Sequence, residues 1–297
     1  MPERLSTGSP TLDQMLGGGL LPGTLTVVAG ATGIGKTQLG ISYLFAGSSQ
    51  NEPQGAMLDL SARGDSQNHA GYAQRLFDAD WRSVAPDTMP SGSGNEWVFD
   101  SEVRMPNSLN MLGYSGRRVV RDQMDPDQWN EWQRQLNRSL NKMIGFLYGH
   151  LVRGTRRFVI DGIEPSDRPE DSLQMELFEY AYHRVMRQEH DWVARDLLRQ
   201  DFRHYADQVT AHAYSNSEAA CLLLCTTPES MLDQLIDRPL ANGDLGALAN
   251  TLIYMGKIRD GLQMRRGLYI AKHRGSQCDD NVRLFEIDEA GLQLSAG

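Results

Sequence analysis

Cysteine is scarce in this chain. Cys221, Cys225 and Cys278 are the only three among 297 residues, too few for a disulfide framework and without the CxxC spacing of a metal knuckle. Two of them lie in the apolar run at 221–225 and read as small buried hydrophobes. No apolar run approaches the roughly 18 residues that span a bilayer. The start, Met1-Pro2-Glu3-Arg4, lacks the apolar segment of a secretory leader. A reduced, cytoplasmic setting without a membrane is the expectation. Basic charge is also in deficit, with 29 Lys and Arg against 38 Asp and Glu and a net charge of −9. That balance argues against a broad electrostatic grip on nucleic acid and leaves only a local basic patch open. What is present is ordinary for a globular protein: 40% hydrophobic and 23% charged residues, which exclude disordered and fibrous classes. At about 150 residues per domain, the length leaves one large or two small domains open.

Five short β-branched or apolar runs, at 25–29, 56–60, 158–160, 221–225 and 252–255, read as buried strands. They are continuous rather than alternating, as when helices cover both faces of a sheet. The clearest helix runs from 126 to 151, with Trp129, Trp132, Leu136, Leu140, Met143, Leu147 and Leu151 at steps of three or four. Asp125 is placed as its N-cap, with Pro126 first, Gln128 completing a capping-box pattern, and Gly154 after its end. Further helices are expected at about 169–188 and 191–213. Runs at 251–258, 268–272 and 283–287 read as a closing β-meander. The expected fold class is therefore α/β, with a mostly parallel central sheet flanked by helices and a C-terminal meander. The stretch 85–113, rich in Pro, Ser and Gly, reads as a surface insertion.

One segment carries chemistry without ambiguity. Gly30-Ala31-Thr32-Gly33-Ile34-Gly35-Lys36-Thr37 fits G-x-x-x-x-G-K-[ST] in full, with a strand entering and a helix leaving. Its glycines let successive N–H groups converge on phosphate oxygens, Lys36 supplies a cation to the β- and γ-phosphates, and the Thr37 hydroxyl suits Mg²⁺. The phosphate-contacting set is taken as residues 30–37 together with Gln38. A second carboxylate is needed at the end of a nearby strand. Arg156-Arg157-Phe158-Val159-Ile160-Asp161 supplies one, and Asp161 would hold Mg²⁺ through water.

Leu5-Ser6-Thr7-Gly8, Leu12-Asp13, Gly17-Gly18-Gly19-Leu20 and Pro22-Gly23 precede that loop. Ala249 to Tyr254, Arg265-Arg266, Lys272-His273-Arg274-Gly275-Ser276, Phe285-Glu286-Ile287 and Gly291-Leu292 close the chain. With these segments the sequence resembles RecA-superfamily P-loop ATPases, above all the KaiC/RadA branch, over roughly 4–63, 155–165 and 219–294. The resemblance implies a RecA-like ATPase core binding ATP and Mg²⁺. It also implies self-assembly, usually as a hexameric ring with nucleotide at subunit interfaces. There, Lys272 and Arg274 would reach the γ-phosphate held by the neighbouring subunit, and Thr226 or Thr227 would sit at a polar γ-phosphate sensor position. With Lys36 and Asp161, Lys272 and Arg274 complete the expected catalytic set.

The departures are equally definite. Ser61 and Ala62 stand where the family has adjacent acids, one of which orients the attacking water. Asp59, Asp65 or Glu164 could approach in their place, and the resemblance then implies slow or absent hydrolysis. Three readings follow: an oligomeric ATP-driven conformational switch, a non-hydrolysing nucleotide-dependent scaffold, and a RadA-type DNA-dependent recombinase. The last is disfavoured by the charge balance and by the acidic interval after Thr227, with Glu229, Asp233, Asp237 and Asp244 against Arg238. Arg153, Arg156 and Arg157 read as a solvated strand entrance, and His183, His190, His204 and His212 as ordinary helix histidines. Because residues 30–37 and Asp161 must share one sheet, 1–297 is read as a single domain. It carries an insertion at about 66–154 and added helices at about 169–213. A protein partner is expected to read the insertion, which holds Trp81, Trp97, Trp129 and Trp132; Trp192 lies in the added helices.

Overall fold

The computed structural model describes residues 3–50, 52–61, 68–89, 96–113, 125–165, 172–239, 245–275 and 277–295, with backbone only at 96, 128–130, 132–133 and 135–137. The elements run α1 Pro10–Met15, β1 Leu25–Gly30, α2 Lys36–Phe45, β2 Ala56–Asp59, α3 His69–Phe77, β3 Ser83–Val84, β4 Ser108–Asn110, α4 Pro126–Leu151 and β5 Arg157–Ile163. They continue with α5 Leu173–Glu179, α6 His190–Leu198, α7 Ala206–Ala211, β6 Ala220–Thr226, α8 Leu232–Asp237, α9 Leu245–Leu248, β7 Thr251–Asp260, β8 Gln263–His273, β9 Arg283–Asp288 and β10 Gly291–Leu294.

Among the described residues the strands form one ten-stranded sheet in the order β10-β9-β8-β7-β1-β6-β5-β2-β4-β3. From β7 to β3 all neighbours are parallel, and β7 to β10 are antiparallel. The mixed α/β class with a closing meander is thus the observed architecture. The central strands are buried on both faces: Leu25, Val27 and Ala29 of β1 join one apolar core, and Val28 joins the other. The period of two makes a continuous apolar strand serve two cores at once. Helices α4 to α7 pack over the first face, and α1 and α2 over the second.

Two expectations are corrected. The stretch 85–113, read as a surface insertion, is in its described residues partly core: β4 pairs with β2 and β3, and Met89, Trp97, Val98, Leu109 and Met111 are buried in the first core. Strands of two and three residues set among Pro and Gly leave no periodic signal. The stretch 191–213 is not one helix. It breaks at Arg199, whose φ of 50° lies in the left-handed region, and resumes as α7. Near 169–188, α5 passes into a π-helical segment, Tyr180–Met186. The long helix is as expected, over Pro126–Leu151, with the Asp125 carboxylate accepting from the Asp127 amide at 2.9 Å and Gly154 at φ 80° after its end. The side chains of Trp129, Trp132, Leu136 and Gln128 lie outside the described residues.

The basic cluster before β5 is structural rather than solvated. Arg157 is 0% exposed. Its guanidinium pairs with Glu52 and donates to Gln50, and Arg156 pairs with the same Glu52. Burial pushes the Arg157 guanidinium down from its ordinary value, against the opposing pull of Tyr43, Asp13 and Glu3. Arg153 instead donates to the carbonyls of Val98, Gly149 and Asp100. His190 is buried with Nε2 2.9 Å from the Val209 carbonyl, and His183 and His204 are exposed.

Candidate functional site

The site lies where β1, β5 and β2 end on the same side of the sheet. Parallel strands put all their C-terminal ends at one edge, where open α/β sheets bind ligands. The backbone leaving β1 turns through Gly33 at φ 74° and Gly35 at φ 120°, a region L side chains rarely adopt. Gly30 is required for a different reason: a Cβ there would lie 2.2 Å from the Met255 carbonyl oxygen of β7. Helix α2 starts at Lys36 behind Gly35, and no side chain among the described residues caps it. Its first amides therefore remain available to an anion.

Lys36 is 7% exposed. Its Nζ donates to the carbonyls of Gly30 at 2.8 Å and Ala31 at 2.9 Å, curling the side chain back along the loop. Burial holds its ammonium below the usual lysine range, while Asp161 and Cys225 pull the other way. The Thr37 hydroxyl donates to Asp161 Oδ2 at 2.9 Å. Gln38 is buried with its Oε1 unpartnered. Ala31, Thr32 and Ile34 fill the loop between the glycines, and Ile34 is buried in the second core.

Asp161 is aimed by an irregularity in β5. The register with β6 shifts between Ile160 and Ile163, and Gly162 there has φ 97°. Such bulges re-aim side chains beside functional sites. Asp161 Oδ1 accepts from the Gly162 amide at 2.7 Å, which leaves Oδ2 toward Thr37. Gly162 is also where β5 crowds β2, since a Cβ would meet the Ser61 amide nitrogen at 2.4 Å.

The candidates for the absent acid fall apart on placement. Asp59 ends β2 directly beside Asp161 in register and is 0% exposed. Its Oδ1 accepts from the Ser61 amide at 2.8 Å, and its Oδ2 lies 3.4 Å from Asn110 Nδ2. Burial raises its pKa above the usual carboxylate range, against the pull of His69 and Ser61. Glu164 follows β5, with its amide donating to Gln174 Oε1. Ala62, Asp65, Asp244 and Ser276 lie outside the described residues. Ser61 is buried.

The site also contains a residue that sequence reasoning missed. His69, first in α3, is 4% exposed, with Nε2 3.5 Å from Asp161 Oδ2 and Nδ1 3.9 Å from Asp59 Oδ2. Burial pushes the imidazole pKa down, but the two carboxylates push it up further, so it lies above the ordinary histidine value. No spacing in the sequence relates position 69 to position 161. The only signal was Asn68 as a helix cap, which accepts from the Gly71 amide at 3.0 Å.

The remaining expected residues divide. Thr226 lies beside Gly30 in register, and the Thr227 amide donates to the Gly30 carbonyl at 3.1 Å, so both stand next to the loop. Lys272 and Arg274 do not. Lys272 pairs with Leu252, and His273 with Thr251, which pairs with Thr26 at the start of β1. They therefore sit at the far edge of the sheet, about 13 Å of strand from Gly30 at roughly 3.3 Å per residue. Lys272 Nζ donates to the Gly246 and Ala247 carbonyls, and Arg274, exposed, lies one residue beyond β8. Neither reaches the loop of its own chain.

The donors fit a nucleotide and its cation. Thr37 and Asp161 present hard oxygens, the kind Mg²⁺ takes. Among the described residues no group of three or more His, Cys, Asp and Glu could hold a metal, so water and phosphate oxygens would complete the coordination of a bound Mg²⁺. No helix among the described residues is long and apolar enough to cross a membrane. Residues 5–76 match the family model of the KaiC ATPase. No curated protein matches the chain. Among solved structures, a KaiC-like protein from the hyperthermophilic archaeon Pyrococcus horikoshii is similar over 99% of both chains, with a TM-score of 0.50 and 14% identity. The chain is thus KaiC-ATPase-like in sequence across residues 5–76 and KaiC-like in fold over its length.

Proposed function

We propose that the chain binds ATP with Mg²⁺ at residues 30–38 and uses the bound nucleotide as a conformational switch in a homo-oligomer, with slow hydrolysis. The observation that supports this most directly is the Thr37–Asp161 hydrogen bond, which joins the loop hydroxyl to the strand-end carboxylate around an uncapped helix start. In this reading the loop amides and Lys36 bind phosphate, while Thr37 and Asp161 hold the cation. The cation, when bound, neutralises charge on the β- and γ-phosphates. The far-edge placement of Lys272 and Arg274 supports a role toward a neighbouring subunit's nucleotide, as in a hexameric ring. The acidic net charge speaks against nucleic acid as a partner, and residues 66–154 remain the proposed protein-binding region. Three cysteines, none of them in a disulfide, suit a cytoplasmic setting.

Lys36→Ala tests the reading. It is expected to abolish ATP binding, and retained micromolar affinity overturns the assignment. Light scattering with and without Mg-ATP tests assembly.

A second reading, a scaffold that binds ATP without cleaving it, draws on Ser61 at the position of the family's acids and on the complete burial of Asp59. It predicts ATP recovered intact after long incubation with Mg²⁺. Steady ADP release that disappears in Asp161→Asn excludes it.

A further inference from the structure

Two buried carboxylates, Asp59 at the end of β2 and Asp161 near the end of β5, stand side by side in register. Like charges so placed repel, and burial strengthens the repulsion. The group between them is the His69 imidazole, with one ring nitrogen toward each carboxylate, at 3.9 Å and 3.5 Å. Asn68 caps the start of α3, and the Trp81 ring lies 6.2 Å from the imidazole. Ser61 and Asn110 hold Asp59 from behind. Asp161 Oδ1 is committed to the Gly162 amide, so Oδ2 is the atom that Thr37 and His69 share.

We propose that His69 is a positioning residue: steered by Asp59, it orients Asp161 Oδ2 toward the cation held by Thr37 and so couples the start of α3 to metal-dependent nucleotide binding. The proposal rests on the nucleotide reading above. Carboxylate–imidazole chains behind metal-holding groups fix their orientation, and their loss typically lowers metal affinity or activity 10- to 100-fold.

The test is titration with a fluorescent N-methylanthraniloyl ATP, in EDTA and in excess Mg²⁺, of wild type, His69→Leu and His69→Gln. Affinity in EDTA is expected to stay within about threefold of wild type, because loop amides and Lys36 are untouched. The gain on adding Mg²⁺ is expected to fall about 10-fold or more in His69→Leu, with His69→Gln recovering part of it through its amide. A full Mg²⁺ gain in folded His69→Leu overturns the proposal. Should that variant fail to fold, ¹⁵N spectra of the wild-type His69 ring decide. A shift on adding Mg²⁺ to the nucleotide complex is expected, and an unchanged ring overturns the proposal. Wild type that binds no analogue under either condition overturns the nucleotide reading, and this inference with it.

Discussion

Thr37 Oγ1 donates to Asp161 Oδ2 across 2.9 Å, although the two residues are 124 positions apart in the chain. The contact exists because β1, β6 and β5 are parallel neighbours whose C-terminal ends share one edge. A hydroxyl whose proton is given to a carboxylate turns its lone pairs outward, the orientation a hard cation needs.

That pair can be separated from phosphate binding. Asp161→Asn and Thr37→Ala are each expected to keep metal-free ATP affinity within a few-fold of wild type. The calorimetric gain in affinity on adding Mg²⁺ should drop at least about 10-fold. An undiminished gain in both variants would remove these residues from the cation site.

Gly162 holds the bulge that aims Asp161. A methyl group there would meet the Ser61 amide nitrogen at 2.4 Å, at a φ of 97°. Gly162→Ala should lower stability by about 1–3 kcal/mol or more from backbone strain, before the clash is counted. Urea denaturation reads this directly, and a wild-type midpoint contradicts it.

Glu52 compensates a fully buried cation. Glu52→Ala strands the Arg157 guanidinium and should destabilise by about 3–5 kcal/mol, whereas the double change Glu52→Leu with Arg157→Met should recover much of that loss. Equal destabilisation by the single and double variants would refute the pairing argument.

His150 of α4 is buried, with Nε2 3.0 Å from the Pro106 carbonyl. Burial, aided by Arg153 against the pull of that carbonyl, lowers its pKa to about 4. A depressed native value means the unfolded chain takes up the proton first. The contribution is complete above about pH 6.5 and is lost as pH falls toward 4, at most about 3 kcal/mol. His150→Gln should flatten denaturation midpoints over that window relative to wild type, and parallel pH profiles would exclude the assignment.

Lys272 and Arg274 sit at the opposite edge of the sheet from their own loop. If they serve a neighbour, Lys272→Ala/Arg274→Ala and Lys36→Ala chains, each inactive alone, should regain ATP turnover when mixed, because one supplies an intact loop and the other intact cations. Mixtures that stay inactive although they co-assemble would end the trans assignment.

The loop was legible in the sequence because its chemistry is contiguous: eight residues carry the turn, the cation and the hydroxyl. Asp161 was legible as an acid ending an apolar run. His69 was not, since nothing local ties the first residue of a helix to a strand end 92 positions later. The burial of Arg157 was equally hidden, because only packing against Glu52 and Gln50 distinguishes it from a solvated neighbour.

The sequence by itself therefore determined the parallel α/β layering, the phosphate loop and the long helix α4, each written in periodicity or spacing along the chain. Tertiary structure alone decided that residues 83–84 and 108–110 extend the sheet and that 199 breaks a helix. It also decided that Lys272 and Arg274 lie at the far edge and that Asp59, His69, Asp161 and Thr37 meet. Those outcomes depend on strand order and register, which bring distant residues together by burial and hydrogen bonding rather than by sequence proximity.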